Sequence, residues 1–153
     1  MGNRCQGCDY HDDRSVDKKS IPKYIPQISR GLVVHVYDGD TIHVVGRVKY
    51  NPELFKFSVR LNGLDCPEMT SKDPEEREMA IKAKTYIQDR LEHKYVVLQH
   101  VKLDKYGRLL AYVMLDGKSI NQELINKRLA AEYDGGTKKS PASWKTYYGD
   151  NEP

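Results

Sequence analysis

The feature that most constrains the fold of this chain is a series of five short segments rich in β-branched and aromatic residues, which one long helical pattern interrupts. Asp38-Gly39, between the first two segments, is a strong hairpin signal. Turn residues bound the other segments too, so each has the length and the flanks of a β-strand. We therefore predict strands over residues 32–37, 41–45, 54–61, 95–101 and 109–115.

Capping residues and helical spacing predict two helices. Asp73 suits an N-cap, Pro74 suits the first helical position, and apolar residues then recur at helical spacing to about His93. A second helix begins at Ser119, after the fifth strand. Five strands with a helix between the third and the fourth is the order of an OB-fold, so the expected class is mainly β with α, a small barrel plus helices. Spacing alone leaves another five-stranded α+β sheet open.

The domain organisation follows from length and composition. A chain of 153 residues, 39% of them hydrophobic, suits one domain with a single core. We predict a flexible N-terminal tail over residues 1–28, a folded domain over residues 29–137, and a polar C-terminal tail over residues 138–153.

Composition also excludes several classes of protein. No apolar run approaches the roughly 18 residues of a membrane span, and the N-terminal segment lacks the apolar stretch of a secretory signal. Three cysteines are an odd number, so we expect no disulfide scaffold and an intracellular, cytoplasmic location. The net charge of +3 is compatible with an anionic partner but does not demonstrate one.

Three charged motifs contain candidate functional residues. In Asp38-Gly39-Asp40-Thr41, Asp40 begins a strand, where Asp is disfavoured. Asp65-Cys66-Pro67-Glu68 is a stiff acidic loop that can offer a hard cation oxygen ligands from Asp65 and from a backbone carbonyl. Asp104-Lys105-Tyr106-Gly107-Arg108 combines a turn glycine with an arginine that can grip an anion. Each motif alone also has a structural interpretation: a hairpin turn, a solvated connection, or a hairpin with a cross-strand charge pair.

Arg60 completes this set of residues. It shares one face of the third strand with Ser58 and Lys56, so we expect it on the outward or binding face. Together, the motifs provide the groups that hydrolysis of a phosphodiester requires. Carboxylates can hold a metal that lowers the pKa of a bound water, and a further carboxylate can orient or deprotonate that water. Arginines stabilise the charge that builds on the phosphoryl oxygens.

In this order and spacing, the motifs resemble those of the staphylococcal nuclease (thermonuclease) family. The resemblance extends over about residues 30–133 and includes Val59-Arg60-Leu61 before the acidic loop. Its most distinctive part is the Asp-Lys-Tyr-Gly-Arg motif followed by Leu109-Leu110-Ala111-Tyr112. The resemblance implies an OB-fold enzyme that uses Ca²⁺ to hydrolyse single- and double-stranded DNA and RNA, usually leaving 5′-hydroxyl and 3′-phosphate ends.

The resemblance also implies a role for each matched residue. Asp40 and Asp65 would ligate Ca²⁺ through their side chains, and Cys66, where the family typically has Thr, would supply a backbone carbonyl. Glu68 would act on the attacking water, as base or as positioner. The other matched residues would contact the nucleic acid: Arg60 and Arg108 at the scissile phosphate, Lys105 and Tyr106 at a terminal phosphate, and Tyr133 by stacking on a base.

The region after the barrel departs from the family pattern. Many relatives have a third, charged helix there, whereas in this chain only residues 140–148 suit a short helical turn. We therefore predict a third helix that is shortened or absent.

The N-terminal tail has three interpretations. Met1-Gly2-Asn3-Arg4-Cys5-Gln6 resembles an acylation signal, with Gln6 where Ser or Thr is usual, and acyl chains on Gly2 and Cys5 would associate the protein with a membrane. Cys5, Cys8 and His11 could ligate zinc, but a clear fourth ligand is missing. A plain disordered tail is the interpretation that we favour.

The expected function is a calcium-dependent endonuclease, monomeric and acting on DNA and RNA. The alternative is a non-catalytic OB module that binds nucleic acid or protein. Degenerate domains of the family serve in that way but usually lose the carboxylates, so the presence of Asp40, Asp65 and Glu68 together with both arginines favours the enzyme. A membrane-tethered scaffold, in which the tail matters most, is a third hypothesis.

Overall fold

The computed structural model describes residue 17, residues 19–137 and residues 140–149. The hypotheses for Gly2, Cys5, Cys8 and His11 therefore lie outside the described residues. Within the described part of the chain, no helix has both the length and the apolar character that crossing a membrane requires.

The described residues form a closed five-stranded barrel with three helices, which confirms the predicted OB-type fold, mainly β with α. The long strands are β1 (Arg30–Val36), β2 (Thr41–Gly46), β3 (Phe55–Leu61), β5 (Tyr95–Leu103) and β6 (Leu109–Leu115). Three further strands have two residues each, too few for a periodic pattern to indicate them: β4 (Leu64–Asp65), β7 (Lys118–Ser119) and β8 (Ala131–Glu132).

The barrel closes through a pairing between strands that are distant in sequence. Antiparallel neighbours run in the order β3-β2-β1-β5-β6-β7, and β3 also pairs in parallel with β6. In this closing pair Arg60 lies opposite Leu110, so the end of β3 lies beside the turn that precedes β6. The barrel interior is filled by apolar side chains from alternate strand positions, among them Val33, Ile42 and Val59, all fully buried.

The helices begin at the predicted caps. α1 (Pro74–Leu91) follows Asp73, whose carboxylate accepts a hydrogen bond from the Glu75 backbone N–H at 3.0 Å. α2 (Ile120–Asn126) follows Ser119, whose hydroxyl accepts from the Gln122 N–H at 3.3 Å. α3 (Trp144–Gly149) has six residues, in agreement with the predicted shortening of the third helix.

Two side chains from outside residues 29–137 belong to the packed structure. Ile28 is 3% exposed and lies in the barrel core, and Trp144, at the start of α3, is 5% exposed. The proposed domain boundaries remain a prediction.

One buried polar side chain connects α2 to the barrel. Asn121 is 2% exposed, and its Oδ1 accepts a hydrogen bond from the Val113 N–H at 2.8 Å. Its Nδ2 donates to the carbonyl oxygens of Asn62 at 2.7 Å and Ala111 at 3.3 Å. Because Asn62 begins the connection between β3 and β4, this amide fixes a loop that borders the site described next.

Candidate active site

A cleft of about 860 Å³ opens on the side of the barrel, and it brings the three charged motifs together. Its lining includes every described residue to which the sequence assigned a site role: Asp40, Arg60, Asp65, Cys66, Glu68, Lys105, Tyr106, Arg108 and Tyr133. The roles themselves remain predictions, but the placement of these nine residues in one cleft is a property of the structure.

The turn between β1 and β2 positions Asp40. Gly39 leaves no room for a larger residue, because a Cβ there would lie 2.9 Å from the Ala83 Cβ and 3.1 Å from the Cys66 Sγ. The turn therefore packs tightly against α1 and the acidic loop. The Asp40 N–H donates to the Asp38 carboxylate at 3.1 Å, and the Asp40 Oδ1 accepts from the Thr41 hydroxyl at 2.7 Å. The hairpin turn predicted at Asp38-Gly39 and the candidate site residue Asp40 therefore belong to the same turn.

Arg60 connects the first two motifs. Its Nη2 lies 2.7 Å from the Asp40 Oδ2 and 3.0 Å from the Asp65 Oδ1, so both carboxylates converge on one guanidinium nitrogen. Asp40 is 8% exposed and Asp65 is 5% exposed. Two buried carboxylates share one arginine, which leaves a surplus of negative charge at the floor of the cleft.

Burial perturbs the titration of two groups at this floor. It raises the pKa of Asp40 to about 6, because the pull of Arg60 toward lower values only partly offsets desolvation and Asp38 adds repulsion. Burial also raises the pKa of the Cys66 thiol, and the nearby carboxylates of Asp40, Asp38 and Asp65 raise it further. The thiol therefore stays protonated at neutral pH, which leaves the backbone carbonyl as the part of Cys66 that suits a metal.

The donor groups at the floor suit a hard cation with few protein ligands. Among the described residues, no group of three or more His, Cys, Asp or Glu side chains is arranged to hold a metal ion. The set predicted from the sequence is smaller, with the carboxylates of Asp40 and Asp65 and the carbonyl of Cys66. Oxygen donors and surplus negative charge fit a hard divalent cation.

Glu68 lies exposed on the loop between β4 and α1, and α1 holds this loop in place. The Glu76 carboxylate, in the first turn of α1, accepts from the Glu68 backbone N–H at 3.1 Å and from the Ser71 hydroxyl at 2.5 Å. Arg77 Nη1 donates to the Ser71 carbonyl at 2.5 Å. The sequence reasoning assigned no site role to Glu76. Its position could have indicated this contact. Glu76 lies three residues after the N-cap, and an acid there often accepts a hydrogen bond from a backbone N–H that precedes the helix.

The turn between β5 and β6 orients Arg108. The Asp104 Oδ1 accepts from the backbone N–H groups of Tyr106 at 2.8 Å and Arg108 at 2.9 Å, and its Oδ2 accepts from the Arg108 Nε at 2.7 Å. Partial burial pushes the pKa of Asp104 up, but the hydrogen bonds from Arg108 and Tyr106 outweigh it and lower the pKa. Gly107 has φ +85°, a conformation that glycine adopts without strain.

The rings of Tyr106 and Tyr133 line the cleft, each beside one of the two arginines. Tyr106 is 72% exposed, and its ring centroid lies 5.0 Å from the Lys105 Nζ and 5.6 Å from the Arg108 Cζ. The Arg60 Cζ lies 5.9 Å from the centroid of the Tyr133 ring. The Tyr133 backbone N–H donates to the Gly63 carbonyl at 3.0 Å, and its hydroxyl donates to the Gly136 carbonyl at 2.9 Å, so both the main chain and the ring are held beside the cleft.

Comparison with known proteins places these features in a family. The model of the staphylococcal nuclease homologue family matches residues 58–148. An uncharacterized protein of Bacillus anthracis is 41% identical over 96 residues, which are 61% of this chain and 42% of that protein. A probable endonuclease of Schizosaccharomyces pombe is 36% identical over 85 residues, 51% of this chain and 37% of that protein. A thermonuclease of Staphylococcus hyicus is 32% identical over 100 residues, 64% of this chain and 56% of that protein.

The aligned region thus spans between 37% and 56% of the length of these three relatives. Since the family model matches more than half of the chain, the protein belongs to the staphylococcal nuclease homologue family.

Proposed function

We propose that this protein is a calcium-dependent endonuclease that hydrolyses phosphodiester bonds of DNA and RNA. The observation that supports this proposal is the single cleft that gathers two buried carboxylates, a third carboxylate on its rim, and two arginines held in place by acidic partners. The names of two relatives, a probable endonuclease and a thermonuclease, point to the same reaction class.

In this proposal the floor of the cleft holds the cation. Asp40 and Asp65 would bind it through their side chains and Cys66 through its carbonyl. When bound, a hard divalent ion supplies positive charge beside the phosphate and lowers the pKa of a coordinated water. Burial of the two carboxylates strengthens this binding, because their charges are poorly screened by solvent.

The two arginines bind the scissile phosphate from different elements. Arg60 projects from β3 and Arg108 from the turn that directly precedes β6, and the parallel pairing of these strands brings both into the cleft lining. Their guanidinium groups can donate paired hydrogen bonds to phosphoryl oxygens, which become more negative as the reaction proceeds. Because Asp104 and the two buried carboxylates already orient these side chains, little reorganisation is needed when substrate binds.

Glu68 acts on the attacking water. Water adds to phosphorus and the bond to the 5′ oxygen breaks, so that the products are a 3′-phosphate and, after protonation, a 5′-hydroxyl. Glu68 orients this water or takes its proton from the rim of the cleft, on a loop that Glu76 holds. Lys105 and Tyr106, which line the same cleft, would contact a terminal phosphate, and Tyr133 offers a ring for base stacking.

A nicking assay tests the proposal. Supercoiled plasmid and single-stranded DNA are incubated with the protein in millimolar Ca²⁺ or in chelator, and we expect cleavage in Ca²⁺ alone. Cleavage that persists in chelator, or that is absent in Ca²⁺, would contradict the proposal. Binding of the same DNA without cleavage would instead support the non-catalytic OB module.

A further inference from the structure

Outside the cleft, the outer face of β1, β2 and β3 continues from Arg60 with polar side chains. Alternate residues of a strand share a face, so Arg60, Ser58 and Lys56 follow one another along β3 at intervals of about 7 Å. On the neighbouring strands, His43 of β2 is paired with Ser58, and His35 of β1 is paired with His43. The face therefore extends from the phosphate-binding arginine across three strands.

Aromatic rings connect this face to the cleft. Tyr37 is 61% exposed and lines the cleft. Its ring centroid lies 6.3 Å from that of His43, with the ring planes only 29° apart. The His43 and His35 centroids lie 5.4 Å apart, with the planes at 44°. Three rings thus form a continuous series that begins at the rim of the cleft.

The charge of this face suits a polyanion. β1, β2 and β3 contain no Asp or Glu. Partial burial lowers the pKa of His43, and the nearby His35 and Lys56 lower it further, so the neutral imidazole suits stacking and Lys56 supplies the positive charge. A phosphate bound here would meet Lys56 and imidazole groups without an opposing carboxylate from the same strands.

We propose that an outer strip formed by His35, Tyr37, His43, Lys56 and Ser58 binds the single polynucleotide strand that continues beyond the scissile phosphate. The proposal rests on the proposed function for the position of that phosphate at Arg60. Unpaired bases stack on the exposed Tyr37 ring and along the imidazoles, while the Lys56 ammonium and the Ser58 hydroxyl contact successive phosphates. Stacking requires bases that are not paired within a duplex, so the strip favours single strands.

Equilibrium binding tests this proposal independently of catalysis. Fluorescence anisotropy is measured in chelator, where cleavage does not interfere, with labelled oligothymidylate of about twelve nucleotides, a length within the range that one OB-fold binds. Tyr37→Ala should weaken binding about fivefold to a hundredfold, the range expected for one lost base stack. Lys56→Gln should weaken binding and reduce the slope of log K against log salt by ~0.7, the value for one phosphate contact to a single strand. Lys118→Gln, an exposed lysine on β7, is the matched control and should retain the wild-type slope.

The outcomes separate this proposal from the proposed function. Weaker binding and a reduced slope for the strip variants, with unchanged thermal melting, would support the strip. If Tyr37→Ala and Lys56→Gln bind oligothymidylate like the wild type, or if an equally long duplex binds as tightly as the single strand, the strip is wrong even when the nicking assay succeeds. A failed nicking assay with intact effects of both variants would remove the nuclease and leave a single-strand binding surface.

Discussion

Replacement of Asn121 by Ala would test how strongly α2 is connected to the barrel. The substitution removes the partners of the buried Val113 N–H and of the Asn62 carbonyl, whereas the Ala111 carbonyl still accepts from the Asn62 N–H at 2.9 Å. An orphaned buried polar group costs about 1–3 kcal/mol. Val113 is fully buried and Asn62 is half-buried, so we expect a loss of roughly 3 kcal/mol in the free energy of unfolding.

This loss is large beside the roughly 5–15 kcal/mol that stabilises a typical domain. It is measured by urea denaturation of the full chain, with Asn126→Ala as a matched control on the same helix. Asn126 is exposed and accepts from the Gln122 side chain at 2.9 Å, so its replacement should change the stability by less than about 0.5 kcal/mol. If Asn121→Ala is no less stable than this control, the reasoning about the buried amide is wrong.

Three further predictions concern the pH dependence of stability and the packing of the site. The pKa of Asp40 is raised from 3.8 to about 6, so the folded protein binds the proton of the Asp40 carboxyl more tightly than the unfolded chain does. The folded protein therefore loses stability as the pH rises from 3.8 to about 6. Asp40→Asn should therefore stabilise the metal-free protein by roughly 3 kcal/mol at neutral pH, with little effect below pH 3.8, in thermal melts across pH. Partial burial raises the pKa of Glu123, but hydrogen bonds from Tyr86 and Arg90 outweigh this effect and lower the pKa below 4.5. The ionised Glu123 therefore stabilises the fold above pH 4.5, and this contribution is lost in acid. Melts of Glu123→Gln should differ most from the wild type at neutral pH, and a pH-independent difference would contradict this. Gly39→Ala should lower the melting temperature and weaken Ca²⁺-dependent cleavage, because the Cβ of the alanine would displace the turn that carries Asp40. A wild-type melting temperature together with wild-type cleavage would contradict the tight packing at Gly39.

The secondary structure was largely predictable because its signals are local. Asp73 and Ser119 cap their helices as the sequence indicated, and the Asp38-Gly39 turn joins β1 to β2. The two-residue strands and the parallel pairing of β3 with β6 were not predicted. Such pairings depend on contacts between residues far apart in sequence, and a strand of two residues has no periodic pattern.

The candidate site was predictable as a set of residues but not as an arrangement. The motifs contain most of the residues that line the cleft, since each motif has a distinctive local composition, but they do not include Tyr37, Asn62 or Met69. The convergence of Asp40 and Asp65 on one nitrogen of Arg60 depends on barrel closure and loop packing, which local patterns do not encode. The contact of Glu76 with the loop that carries Glu68 likewise joins a helix to a preceding loop.

The most direct test of the central claim compares cleavage and binding by Glu68→Gln. The amide keeps the size of the side chain but can neither take a proton from water nor offer it a charged acceptor. We expect turnover in Ca²⁺ to fall by orders of magnitude while the affinity for DNA stays nearly unchanged, and Glu78→Gln, an exposed glutamate of α1, should cleave like the wild type. Wild-type cleavage by Glu68→Gln would contradict the assigned role of this residue and the account of the cleft as a hydrolytic site.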